Sequence, residues 1–211
     1  MRIYLIRHGR QSSRLCNVDV DLCQEGFRQA ALVGERLFPA GIQAVYSSRL
    51  IRAVQTAQAA NLYWNAEHMI RPELREISFG EMEGLSDEQI DQRFKDFKER
   101  QERMETDLPY PGGECAGDVI RRTLPVIEEI AQSGLARVAV VTHGGVIRSL
   151  AAHFLGMELA GWRRLCSDLE NCSITELSYE PSRRQRFLVE RVNDYAHLER
   201  FPELLRANWK E

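Results

Sequence analysis

The sequence predicts an α/β fold with a largely parallel sheet covered on both faces. Two observations predict it. Short apolar runs rich in β-branched residues fall at 2–6, 43–47 and 136–142, lengths that suit buried strands. Segments with apolar residues near a 3.6-residue period lie between them, and strands alternating with helices argue for a parallel sheet.

Residues 2–6, Arg2-Ile3-Tyr4-Leu5-Ile6, open the chain as a strand. Residues 25–37 read as a helix carrying Phe27, Ala30, Ala31, Leu32 and Leu37 on its apolar side, and Pro39 and Gly41 break it. A second strand at 43–47 leads into a helix at 51–62 rich in Ala and Gln. Ser86-Asp87-Glu88-Gln89 matches a capping box, so a charged helix is expected from there to about Glu105. Ile90, Phe94, Phe97 and Met104 share one face of it. That stripe fits a solvated helix resting on the core, or a lid over a pocket. Pro109-Tyr110-Pro111-Gly112-Gly113 ends the segment as a turn. A core helix follows at 117–133, with a kink expected at Pro125. After the strand at 136–142, a helix from Val146 to Leu155 closes on Gly156. Ser173–Tyr179 and Arg186–Val192 resemble two strands joined as a hairpin through 180–185. With no linker or repeat, residues 1–211 read as one domain with a helical insertion at about 84–111.

Composition narrows the function. The 211 residues are 44% hydrophobic and 28% charged, which leaves ample material for a core and argues against disorder. Lys and Arg number 28 against 31 Asp and Glu, a net charge of -3 that disfavours nucleic acid but not a small cationic pocket. No signal-peptide core or long apolar run is visible, so a cytoplasmic protein without membrane contact is expected. Cys16, Cys23, Cys115, Cys166 and Cys172 are odd in number and lack C-x-x-C spacing, so free thiols are expected.

Three strands end in chemistry-bearing residues. The first runs into Arg7-His8-Gly9, the second into Ser47-Ser48-Arg49 and then Arg52, the third into His143-Gly144-Gly145. Ligands bind beyond the carboxyl ends of strands in open α/β sheets, so Arg7, His8, Arg52 and His143 should gather at one rim. Arg presents planar donors that match phosphate oxygens, and the helix start at Gly144 and Gly145 favours an anion. A neutral His8 could attack phosphorus, with the arginines keeping its imidazole unprotonated and stabilising the transition state. The leaving alkoxide needs a proton donor, and Glu76 is the candidate; a bound phosphate would favour the acid form of a nearby carboxyl. Spacing alone does not single it out among 31 acids.

Leu5-Ile6-Arg7-His8-Gly9 and Val141-Thr142-His143-Gly144-Gly145 resemble the histidine phosphatase superfamily, also called phosphoglycerate-mutase-like. Ser47-Ser48-Arg49-Leu50-Ile51-Arg52 resembles its second arginine motif, and Leu74-Arg75-Glu76 through Gly80-Glu81-Met82-Glu83-Gly84 its acid motif. Pro111-Gly112-Gly113-Glu114 and Asn193-Asp194-Tyr195-Ala196-His197 also look familiar. The resemblance implies a three-layer α/β/α sandwich with a mostly parallel central sheet. It implies a phosphohistidine on His8, Glu76 as proton donor, and phosphate or substrate binding by Arg7, Gly9, Arg52, His143 and Gly144. Gln11 and Asn17 are further candidate contacts. No metal or organic cofactor is expected, and no H-E-x-x-H or Walker loop is present. The chain departs from the family at Arg10-Gln11, where many members carry an acidic or amide residue and then Thr or Ser. Arg10 there could favour a substrate with a second anionic group.

The leading expectation is a metal-independent phosphomonoesterase of the histidine acid phosphatase type, acting on a small phosphorylated substrate. The alternatives are a phosphoglycerate mutase-type phosphotransferase and a non-catalytic module that binds a phospho-ligand or protein. Phe79 stands where the mutases carry Tyr, and 84–111 has no adjacent Arg-Arg pair; both favour the phosphatase. The natural substrate and the oligomeric state are not legible in the sequence.

Overall fold

The computed structural model describes residues 1–166 and 168–209. The strands are β1 (Arg2–Arg7), β2 (Ala44–Ser47), β3 (Glu67–Ile70), β4 (Arg137–Thr142), β5 (Ile174–Tyr179) and β6 (Phe187–Asp194). They form one sheet in the order β3-β2-β4-β1-β5-β6. The pairings β3–β2, β2–β4 and β4–β1 are parallel; β1–β5 and β5–β6 are antiparallel. The expected hairpin therefore exists, and it extends the sheet beside β1. β3 was invisible in the sequence because Glu67-His68-Met69-Ile70 is half polar, as an exposed edge strand can be.

Strand alternation sends side chains to two separate cores. Ile3 and Leu5 of β1, Val138 and Val140 of β4, and Tyr46 of β2 pack under helices α5 (Ala116–Ala131) and α6 (Gly144–Phe154). Tyr4, Ile6, Ala139, Val141 and Val45 pack under α1 (Gln24–Leu37) and α2 (Ile51–Asn61). These are the three layers the resemblance implies. Each fully buried aliphatic side chain contributes about 1.5–3 kcal/mol. The small residues Ala53, Ala57 and Ala60 let α2 lie close to the sheet and to Gly34 of α1. α5 continues through Pro125 as a single helix. α6 ends as expected, with Gly156 at φ +66° and its N–H bonded to the His153 carbonyl while Met157 N–H reaches Ala152 O.

The charged insertion differs from expectation. It is two helices, α3 (Asp87–Arg93) and α4 (Lys95–Arg103), broken at Phe94 with φ −122° and ψ 29°. The break brings Ile90, Phe94 and Phe97 together, partly buried against the core. The capping box forms: Ser86 Oγ accepts the Gln89 N–H at 3.3 Å, and Gln89 Oε1 accepts the Ser86 N–H at 3.0 Å. No helix among the described residues is long and apolar enough to cross a membrane.

Candidate active site

Because β1, β2 and β4 are parallel, their carboxyl ends meet at one rim. β1 delivers Arg7 and His8, the turn after β2 delivers Ser48 and Arg52, and β4 delivers His143. Arg52 is only 2% exposed, His8 5% and His143 0%, so the cationic cluster is built into the fold. The His8 and His143 rings lie 5.1 Å apart.

His8 Nδ1 lies 2.7 Å from the Gly9 carbonyl oxygen. A carbonyl only accepts, so the proton sits on Nδ1 and Nε2 keeps its lone pair. Burial, then the Arg52 and Arg7 guanidiniums, hold the His8 imidazole well below its ordinary pKa. The backbone is clamped as well: His8 N–H donates to Thr142 O at 2.9 Å, and Asn171 Nδ2 donates to His8 O at 2.7 Å.

Arg7 donates through Nη1 to the Leu169 carbonyl, and burial brings its pKa down to about 9. Arg52 donates through Nη1 to Val18 O at 2.9 Å and through Nη2 to Asn17 Oδ1 at 2.7 Å. His143 Nε2 pairs with Ser48 Oγ at 2.7 Å; burial and then Arg52 lower its pKa strongly. After these bonds, Arg7 Nε, Arg52 Nε and His143 Nδ1 remain buried without a partner among the described residues. Each unsatisfied guanidinium N–H costs about 1–3 kcal/mol, which a bound oxyanion would recover.

Glu76 faces this cluster. Its Oε1 accepts N–H groups from Ile77 at 2.8 Å and Gly145 at 3.0 Å. At the start of α6 the Gly145 N–H thus goes to the Glu76 carboxyl group. A Cβ on Gly145 would lie 2.5 Å from Glu76 Oε1, so only glycine permits the approach. Glu76 is braced from behind by Glu114, which takes paired hydrogen bonds from Arg75 (2.8 and 2.9 Å) and from Arg122 (2.9 and 3.0 Å). Burial raises the Glu114 pKa, but these guanidiniums and the Ser78 N–H outweigh it and hold it at about 2. Arg122 Nη2 also donates to the Glu76 carbonyl at 3.1 Å. Gly80 and Gly113 let the Pro111-Gly112-Gly113 turn pack directly on the Ser78–Gly80 backbone.

A cavity of about 760 Å³ opens beside the cluster, lined by Arg7, His8, Arg52 and Glu76 among others. Gln11 and Asn17 also line it. The Gln11 amide is engaged with Ser13 O at 2.8 Å, and Asn17 acts on Arg52. The Gly9 N–H donates to Thr56 Oγ1 at 2.9 Å, and a Cβ on Gly9 would lie 2.6 Å from the Gly26 carbonyl oxygen. At Gly144 a Cβ would lie 3.7 Å from Arg7 Nε. Arg10 stacks on Trp209 at 4.3 Å, at the mouth of the cavity.

Sequence reasoning missed several participants. Ser48 follows β2 directly, but nothing in the sequence pairs it with His143. Asn171, Arg163 and Arg206 line the cavity from segments that carry no recognisable pattern. Glu114 was visible only as part of a familiar string. No group of His, Cys, Asp and Glu suited to a metal ion occurs among the described residues.

A model of the histidine phosphatase superfamily, branch 1, matches residues 3–194. The chain belongs to this superfamily. Its curated relatives include the probable phosphoglycerate mutase GpmB of Proteus mirabilis, 28% identical over 206 residues, which are 94% of this chain and 95% of the relative. Among solved structures, a mycobacterial glucosyl-3-phosphoglycerate phosphatase superposes with a TM-score of 0.81 at 29% identity, covering 91% of this chain and 98% of that one. Bacillus stearothermophilus YhfR gives a TM-score of 0.82 at 26% identity, covering 94% and 99%. Histidine phosphatases thus supply both the fold and the phosphatase neighbours, while the curated names are mutase-like.

Proposed function

We propose that this protein hydrolyses small phosphomonoesters through a phosphohistidine on His8. The observation that carries this reading is the fixed tautomer of His8 beside two orphaned guanidinium donors and an unpartnered ring nitrogen of His143. With Nδ1 committed to Gly9 O, Nε2 is the nucleophile, and Arg7 Nε, Arg52 Nε and His143 Nδ1 wait for phosphoryl oxygens. In the first step Nε2 forms a bond to phosphorus, the ester P–O bond breaks, and Glu76 gives its proton to the leaving oxygen. In the second step Glu76 accepts a proton from water as that water attacks phosphorus; the N–P bond breaks and orthophosphate leaves. That proton restores the acid form of Glu76 for the next cycle. The chemistry uses only these side chains, with no metal. A single domain with 84–111 as a lid-like cover, and a cytoplasmic setting consistent with five free cysteines, complete the proposal.

The test is release of phosphate from p-nitrophenyl phosphate between pH 5 and 8, with and without EDTA, by wild type and His8→Ala. Turnover that resists EDTA and vanishes in His8→Ala is expected. Activity surviving His8→Ala overturns the nucleophile. A second reading, phosphoglycerate mutase, is favoured by the names of the curated relatives. Conversion of 3- to 2-phosphoglycerate without phosphate release would select it, whereas binding without turnover would select a non-catalytic module.

A further inference from the structure

The tautomer of His8 depends on a carbonyl that the local chain does not hold in place. His8 Nδ1 lies 2.7 Å from Gly9 O, and that contact keeps the ring proton on Nδ1. Gly9 has no side chain to bias its own rotation, so the two peptide planes that meet at its Cα are free to turn independently. No larger residue fits there, because a Cβ would lie 2.6 Å from the Gly26 carbonyl oxygen. Both planes must therefore be held from outside.

Three buried side chains hold them. The His8–Gly9 peptide is fixed at each end: Asn171 Nδ2 donates to His8 O at 2.7 Å, and Gly9 N–H donates to Thr56 Oγ1 at 2.9 Å. The next peptide carries Gly9 O and the Arg10 N–H, and that N–H donates to Gln29 Oε1 at 2.8 Å. The holders are anchored in turn. Gln29 Nε2 donates to Leu204 O at 2.8 Å, and Thr56 Oγ1 donates to Arg52 O at 2.6 Å. The turn bearing Asn171 is tied to β1 through the Cys172 N–H, which donates to Arg7 O at 2.9 Å. Gln29 lies on α1, Thr56 on α2, and Asn171 just ahead of β5. Because β5 runs antiparallel to β1, its amino end is the one that reaches the rim. Asn171 is 1% exposed, and its Oδ1 is buried with no partner among the described residues. A half-satisfied buried amide costs stability, so packing alone does not account for this side chain.

We propose that Asn171, Thr56 and Gln29 are positioning residues for the nucleophile. By holding the peptides on either side of the Gly9 Cα, they keep Gly9 O facing His8 Nδ1. That fixes the imidazole tautomer and aims Nε2 at phosphorus. They act through the backbone of the nucleophile rather than on the substrate. The proposal rests on the reading of His8 as nucleophile.

The experiment compares wild type with Asn171→Leu, Thr56→Val and Gln29→Met, which remove the hydrogen bonds with little change of shape. Gln29→Glu, which keeps an acceptor for the Arg10 N–H, is the conservative control. With isotope-labelled histidine, long-range nitrogen–proton NMR correlations tell a protonated ring nitrogen from a bare one, and the signals missing from His8→Ala identify His8. Wild type should show the proton on Nδ1. The three removing variants should show both tautomers in exchange, and kcat on p-nitrophenyl phosphate should fall about 10- to 100-fold. Calorimetric affinity for inorganic phosphate should stay within about threefold, since Arg7, Arg52 and His143 are untouched. Gln29→Glu should keep the tautomer and most of the rate. A wild-type tautomer in all three removing variants overturns the proposal, and so does a loss of kcat without a change of tautomer. Should Asn171→Leu fail to fold, Thr56→Val decides, because it acts on the same peptide. If activity survives His8→Ala, the nucleophile reading fails; a tautomer that still shifts in Asn171→Leu and Thr56→Val then shows that these residues orient the ring all the same.

Discussion

The cavity has two walls built differently. On the sheet rim, Arg7, His8, Arg52 and His143 are buried, cross-bonded, and fixed by strands paired on both sides. Opposite, α3 and α4 contribute no fully buried residue and rest on the core only through Ile90, Phe94 and Phe97. One wall holds its groups through the sheet itself. The other holds them through a thin apolar stripe and a capped first turn. Chemistry that needs sub-ångström placement belongs on the first, and selection among alcohol groups can be varied on the second without disturbing it.

Variants can break this contrast in graded steps. On the rigid wall, His8→Ala should cut kcat with p-nitrophenyl phosphate by about 10⁴-fold or more, measured by phosphate release. Arg52→Ala should cost about 10³-fold, since it removes transition-state charge stabilisation and also frees Asn17. Glu76→Gln should lower kcat about 10²-fold on an alkyl phosphate and much less on p-nitrophenyl phosphate, whose leaving group hardly needs a proton. A uniform loss across leaving groups would argue against the acid role.

Next comes the brace behind Glu76. The Glu114 pKa is depressed in the folded protein, so its stabilisation is present above the ordinary carboxylate pKa. It is lost as pH falls from about 4.5 towards 2. Glu114→Gln should therefore lower stability at pH 7 by about 3 kcal/mol, and the gap to wild type in urea melts should shrink as pH falls through that window. The smallest effect lies on the second wall. Ser86→Ala removes the cap of α3 and should cost about 1 kcal/mol of local stability, with kcat/KM within about twofold of wild type.

The two walls also differed in how well they could be read. Strands ending in Arg7-His8-Gly9 and His143-Gly144-Gly145 are apolar runs closed by unusual polar residues, so both their class and their rim were legible. Arg163 was not, because Trp162-Arg163-Arg164 carries no periodicity and nothing in it separates a half-buried arginine lining the cavity from an exposed one. The break at Phe94 was hidden for a related reason. No Gly or Pro marks it, and it follows from tertiary packing of Phe94 and Phe97 against the core. Asn171 acts through a turn just ahead of β5, where Cys172 takes a positive φ of 57°, a conformation local composition does not announce.

The central position of β1 has a consequence for how the protein is made. Its partners are β4, which begins 135 residues after β1, and β5, later still: Arg2 lies opposite Arg137 and Leu5 opposite Thr175. A ribosome adding about 5–20 residues per second therefore needs roughly 10–30 s after finishing β1 before its second neighbour exists. Arg7 and His8 are thus made well before the strands that flank β1. Contacts of such long sequence separation also slow folding in a free chain. The growing polypeptide thus carries β1 as an unpaired apolar strand until β4 and β5 have been made, which makes β1 a segment whose protection by chaperones should matter for yield.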